Sequence, residues 1–161
     1  MKTLIILSSI ILTFNWGCSD EREKGGNSGG GHVHQAMRGG ILMEIGQHGS
    51  GHNLELLLND KGNFEIFILD AHADNYVRIE QSTIELNLAD HNRSLILEAI
   101  SDPATWETVG NSSLFRTSQS IENFLPLKAE IVDLKIGSSN YLNTALSFSG
   151  NPKSDNHEHW R

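Results

Sequence analysis

Short apolar runs of period two, broken at close intervals by turn residues, constrain this chain most. Ile84, Leu86 and Leu88 alternate with Thr83, Glu85 and Asn87. Leu54, Leu56 and Leu58 alternate with Glu55 and Leu57, and Leu95, Leu97 and Ala99 form another such run. Phe64, Ile66 and Ile68 alternate with Glu65, Phe67 and Leu69, so that strand should be covered on both faces. Further runs lie at 41–45, 129–136 and 142–148. Side chains of a strand point alternately to opposite faces, so a two-residue apolar period marks a strand with one buried face. Asn59-Asp60-Lys61-Gly62, Asp90-His91-Asn92-Arg93 and Gly137-Ser138-Ser139-Asn140 supply the turns. The pattern predicts an all-β domain over 32–149: an antiparallel β-sandwich or open barrel of about seven to nine strands. One short helix is expected over 118–125, capped by Ser118 and ended by Pro126. Trp106, after Asp102-Pro103-Ala104-Thr105, is expected to plug the core beneath a loop.

The N-terminus gives an address. Lys2 precedes an apolar stretch of 13 residues, Leu4 to Trp16, and then come Gly17 and Cys18. A membrane span needs about 20 residues, so this run reads as a secretory signal peptide over 1–17. Cys18 is the only cysteine, and it sits where a bacterial lipobox places the lipidated residue. Asn15 stands three before it, where such a box usually has Leu. Two acyl signals anchor a protein stably where one barely does, and a mature lipoprotein cysteine carries them. Ser19 at the next position favours sorting to the outer membrane. The expected location is the periplasmic side of the envelope, membrane-bound through Cys18.

Composition narrows what such a protein could bind. Removing residues 1–17 takes away Lys2 and no acid, leaving 11 basic against 20 acidic residues, a net charge of −9. Nucleic-acid binding rests on Lys and Arg meeting phosphate, so nucleic acid is excluded as a partner. The mature chain keeps no cysteine for a disulfide, and its core must come from apolar packing. Residues 18–31 hold charges and then five glycines, the composition of a flexible tether. Residues 150–161 are again polar and read as a mobile tail.

Eight histidines is a rich supply, and most are grouped. His32 and His34 stand where tether meets domain. His48 and His52 flank Gly49-Ser50-Gly51 in the first hairpin. His72 stands within Asp70-Ala71-His72-Ala73-Asp74, and His157 and His159 flank Glu158. If the strand before it continues, Asp70, His72 and Asp74 project from one face. Imidazole with carboxylate suits Zn, Ni, Co or Cu(II), and the lack of thiols argues against a soft Cu(I) site. The candidate metal ligands are His48, His52 and His72, with Asp70 and Asp74 as ligands or orienters and His157 and His159 as auxiliary capture groups. Against this, aspartates at strand ends commonly serve turns, and histidines in a glycine-rich hairpin commonly hydrogen-bond at the surface. His91, alone in a turn, reads as a turn residue. No nucleophile elbow, H-E-x-x-H motif or phosphate-cradling glycine loop is present, so a non-enzyme is expected.

Several of these residues also carry a resemblance. Arg38-Gly39-Gly40, Glu44-Ile45-Gly46-Gln47-His48, His52 with Glu55, Asp60-Lys61-Gly62 and Phe67-Ile68-Leu69-Asp70-Ala71-His72-Ala73 resemble a group of small exported bacterial proteins. Those proteins carry a His-Gly-Gly segment, a Gly-x-His-x-x-His-x-Glu-like hairpin and a Tyr-x-Leu-Asp-x-His-Ala-like strand, and many end in a His-rich tail. The likeness runs from His34 to Phe148. Arg38 stands where the group has His, and Gly49-Ser50-Gly51 alters the loop before His52. The resemblance implies a periplasmic companion of heavy-metal efflux pumps, with efflux-complex proteins as partners. Two functions are therefore expected from the chain: capture of a divalent transition metal, or protein docking in the envelope with incidental histidines.

Overall fold

A computed structural model describes residues 34–89 and 92–152. The expectations placed on the signal peptide, Cys18, the tether, His32, His91, His157 and His159 lie outside the described residues.

The domain is all-β. Eight strands run as β1 (Ile41–Ile45), β2 (His52–Leu58), β3 (Asn63–Leu69), β4 (Thr83–Leu88), β5 (Arg93–Ala99), β6 (Leu114–Ser120), β7 (Leu127–Ile136) and β8 (Ser139–Phe148). They form one antiparallel sheet in the order β1-β2-β3-β6-β5-β4-β7-β8, curled into a nearly closed barrel. The alternation seen in sequence sets the inside. Leu54 and Leu56, Phe64, Ile66 and Ile68, Ile84 and Leu86, and Leu97 are all fully buried and belong to one core. Phe64 on β3 meets Phe148 on β8 with ring centroids 5.0 Å apart, so strands far apart in the sheet order meet in the interior. Each such side chain contributes about 1.5–3 kcal/mol by leaving water. Where β1 and β8 approach, side chains bridge the seam. Asn151 donates to the Leu58 carbonyl and accepts from its N–H, both at 2.7 Å, imitating a strand pair. At the other end His52 reaches Tyr141 on β8.

β3 is buried on both faces, as its composition predicts. Its outer face is covered because residues 34–40 fold over it and over β2. Glu55, fully buried, holds this strap: its oxygens accept the N–H groups of Met37 (3.1 Å), Arg38 (2.7 Å) and Gly40 (2.9 Å). Gly40 is needed there, since a Cβ would stand 2.6 Å from the Leu56 carbonyl oxygen.

Three expectations are corrected. Residues 118–120 are strand, not helix: Ser120 pairs with Asn63, and the Ile121 N–H donates to the Gly62 carbonyl at 2.9 Å. The helical turn that remains is a single 3₁₀ turn, Glu122–Phe124, which begins after Ile121 without a side-chain cap. Strand β3 stops at Leu69, so Asp70, His72 and Asp74 sit in a turn and do not share a strand face. Trp106 is no core plug; it is 83 % exposed.

Candidate functional site

Antiparallel register brings the histidine-bearing segments to one end of the sheet. Ile45 pairs with His52, and Asn53 pairs with Leu69. The β1–β2 turn with His48, the start of β2 and the turn after β3 with His72 are therefore neighbours. The Asn53 amide ties two of them by donating to the Asp70 and Ala71 carbonyls, at 3.0 and 3.1 Å.

Asp70 builds the second turn. Its Oδ1 accepts the N–H groups of His72 (3.2 Å) and Asp74 (3.0 Å), and its Oδ2 accepts from the Asn75 amide (2.7 Å). Partial burial acts to raise its pKa. The bonds from the Asn75 side chain and from backbone N–H groups outweigh this and hold it below the usual carboxylate value. Ala73 takes a positive φ of 58° to close the turn, which aims its small side chain inward. Asp70 thus serves the turn, while Asp74 lies exposed.

The imidazoles fall into two sets. His52 faces the seam: its Nδ1 and the Tyr141 hydroxyl share a hydrogen bond of 2.8 Å, with the rings edge-on. Burial lowers its pKa, and the nearby charge of Asp70 partly offsets this. It makes no ring or hydrogen-bond contact with His48 or His72. Those two are linked by His34, at the start of the strap. The His34 ring centroid lies 6.4 Å from that of His48 and 6.0 Å from that of His72.

Hydrogen bonding decides the tautomers of this chain of rings. His34 Nδ1 stands 2.7 Å from the His72 carbonyl oxygen. A carbonyl has no proton to give, so Nδ1–H donates and Nε2 keeps its lone pair. His48 Nδ1 stands 2.9 Å from both oxygens of Glu44, which imposes the same tautomer on the neutral ring. The His48 bond in turn lowers the pKa of Glu44. Imidazoles that ligate metals are held in this way, with one nitrogen on a carbonyl or carboxylate and the other free. Among the described residues, no group of three or more His, Cys, Asp or Glu stands close enough to hold a metal ion as positioned. Two imidazoles on one Zn, each with nitrogen at about 2.0–2.1 Å, place their centroids about 5 Å apart. The two pairs that include His34 are thus each about 1 Å wider than that spacing.

Of the ligands expected from sequence, the structure therefore places His48 and His72 each beside His34 and sets His52 apart against Tyr141. It adds His34 and Glu44. Glu44 is readable as the i−4 neighbour of His48; His34 is visible in sequence as one of the His32–His34 pair, but only the strap held by Glu55 sets it beside His48 and His72. Tyr141, which captures His52, lies 89 residues further along.

The fold and this cluster define an eight-stranded antiparallel barrel with a row of imidazoles across one end. No protein-family model, curated protein or solved structure matches the chain.

Proposed function

We propose that this chain is an envelope lipoprotein, anchored through Cys18, that captures a divalent transition metal at the strap end of its barrel. His34, His48 and His72 are the ligands in this reading, and Glu44 orients His48. The observation that carries it is the His34 ring, set between His48 and His72 with its Nδ1 proton committed to the His72 carbonyl. Its Nε2 lone pair is thereby kept for an ion. Imidazole nitrogens with a carboxylate behind them favour Zn, Ni, Co or Cu(II). The three ligands lie on turns and a strap rather than on strand interiors, which suits an ion that is taken up and passed on. Resemblance to exported companions of metal-efflux pumps points the same way, and an efflux complex is the partner it suggests. The role is binding and delivery, without catalysis.

Isothermal titration of the full-length chain in detergent with Zn(II), Ni(II), Co(II) and Cu(II) near pH 7.5 tests this. Wild type is expected to bind at least one ion with 1:1 stoichiometry. A triple His34→Ala, His48→Ala, His72→Ala variant should bind at least tenfold more weakly. His52→Ala should retain the wild-type affinity. Equal titration of wild type and triple variant would overturn the reading. Protonated imidazoles do not ligate, so affinity should also fall on acidification.

A further inference from the structure

The outer face of β3 and β6 carries a second feature, remote in character from the histidines: a groove of about 750 Å³ with three arginines in its wall, Arg38, Arg78 and Arg116. Two aromatic rings stand in the same lining. Phe67 and Tyr76 lie with ring centroids 5.7 Å apart, and the Arg38 guanidinium stacks 4.7 Å above the Phe67 ring. The arginines are built in. Arg38 donates through Nε to the Tyr76 hydroxyl at 3.0 Å, and Arg116 donates through Nε to Glu65 at 2.6 Å. Arg78 donates through one terminal nitrogen to the Thr105 carbonyl at 2.5 Å.

The neighbouring carboxylates are committed to the protein. Glu65 accepts from Arg116 and from the Asn59 amide. Glu107 accepts from the Ser113 N–H and hydroxyl, at 3.0 and 2.6 Å, and pairs with Arg78 at 3.5 Å. Asp102 accepts the Ala104 N–H. Arg38 has no carboxylate within ion-pair distance among the described residues. Neither terminal nitrogen of Arg38 or of Arg116 has a hydrogen-bond partner in the protein there, and none of these atoms is buried without one. Both residues line the groove, and their forks are unused by the protein. Arg38 lies within electrostatic reach of Glu65, the anchor of Arg116, so the two guanidiniums share one neighbourhood.

A concave site of this volume, with fixed polar groups beside aromatic rings, has the form of a small-ligand pocket. Planar guanidiniums anchored at Nε with free terminal nitrogens match the two-oxygen edge of a carboxylate or phosphate. We propose that this groove binds a small organic anion through a carboxylate or phosphate group held by Arg38 and Arg116, with its body against Tyr76. The buried Glu55 has a role here. It fixes the backbone of Arg38 rather than its side chain, so the strap presents the guanidinium over the groove.

Benzoate, citrate and inorganic phosphate, each titrated into the full-length chain in detergent at low salt, test this by calorimetry. At least one is expected to bind saturably. Binding by benzoate or citrate assigns a carboxylate ligand, and binding by phosphate alone assigns a phosphate. Arg38→Gln should weaken that binding at least tenfold. Arg38→Lys, which keeps the charge but loses the planar fork, should also weaken it several-fold. Arg93→Gln, on the exposed start of β5, should leave it unchanged. The proposal fails if no probe saturates by about 10 mM, a very weak affinity. It also fails if Arg38→Gln has no effect, or if Arg93→Gln weakens binding as much. Circular dichroism of each variant shows whether the fold is kept, and the strap's backbone bonds to Glu55 predict that it is.

Discussion

Glu55 and His48 sit on the same β1–β2 hairpin and handle polarity in opposite ways. Glu55 is fully buried and its carboxylate accepts three backbone N–H groups. The side chain of His48 is 74 % exposed and commits one nitrogen, leaving the other to solvent. Glu65 and Glu107 follow Glu55: each is nearly buried, and each is satisfied by several donors. A buried polar group left unpaired is costly, so saturation is a condition of being inside. These carboxylates act as rivets, fastening strap and loops to the outer face of the sheet. The imidazoles and the free guanidinium forks keep unused capacity, and that capacity is what a ligand can use.

The comparison breaks most directly at Glu55. Glu55→Ala leaves three N–H groups without their acceptor, each worth about 1–3 kcal/mol if it stays buried. The strap can peel into water and recover part of this. A net loss of about 3 kcal/mol is therefore expected from urea unfolding. Because the strap carries His34, metal affinity should drop with it, although Glu55 is no ligand. Glu107→Ala is expected to cost less, about 2 kcal/mol, since only one backbone N–H loses its acceptor, beside the hydroxyls of Ser113 and Thr105 and the ion pair with Arg78. If Glu55→Ala were as mild as an exposed substitution, below about 0.5 kcal/mol, Glu55 would not be what holds the strap.

The titration of His52 sharpens the contrast within the histidines. Burial favours its neutral form and lowers its folded pKa below the ordinary value of about 6.5. Between the two values the unfolded chain binds more protons than the folded one, so stability rises with pH across that window. It is complete above about pH 6.5 and falls on acidification until the folded pKa is reached. His52→Gln should flatten this slope, as read from urea midpoints between about pH 5 and 7. Asp70 acts further down: its lowered pKa gives stability that is present above about pH 4 and lost as pH falls through the folded value. An unchanged slope in His52→Gln would mean that the imidazole is not confined by the seam.

These positions also show what was legible in sequence. Strand β4 falls where alternation put it, because it buries one face and a two-residue period records that directly; β1 falls on the apolar stretch between glycines, without an alternating face. Residues 118–120 misled, because serine before an acidic and amide-rich stretch resembles a helix cap. Pairing with Asn63, and burial of Ile121 beyond it, outweigh that weak local preference. Asp70-Ala71-His72-Ala73-Asp74 alternates like a strand, yet the Asp70 carboxylate collects the N–H groups of His72 and Asp74 and closes a turn. The histidine row was half legible. His48 and His72 were in the expected ligand set. His34 joins them only because a carboxylate on the polar side of β2 is buried under a strap, which no local pattern signals.

Trp106 gives the smallest expected effect. Asp102-Pro103-Ala104-Thr105 forms a tight turn, with the Thr105 N–H donating to the Asp102 carbonyl at 3.2 Å. The chain then re-pairs through an Asp102–Glu107 bridge. Closing a hairpin this way requires a left-handed residue after the turn, a position that usually falls to glycine. Trp106 takes it, at φ 60°. Because Glu107 must turn inward to reach Ser113, its neighbour is directed outward. The ring accordingly stands in water at the tip of a loop whose next residue is a rivet. A buried tryptophan replaced by alanine costs about 3–5 kcal/mol. Trp106→Ala should instead change stability by less than about 0.5 kcal/mol. A large loss on Trp106→Ala would return the ring to the core. A null result beside a costly Glu107→Ala would place both kinds of side chain, rivet and free group, at adjacent positions of one loop.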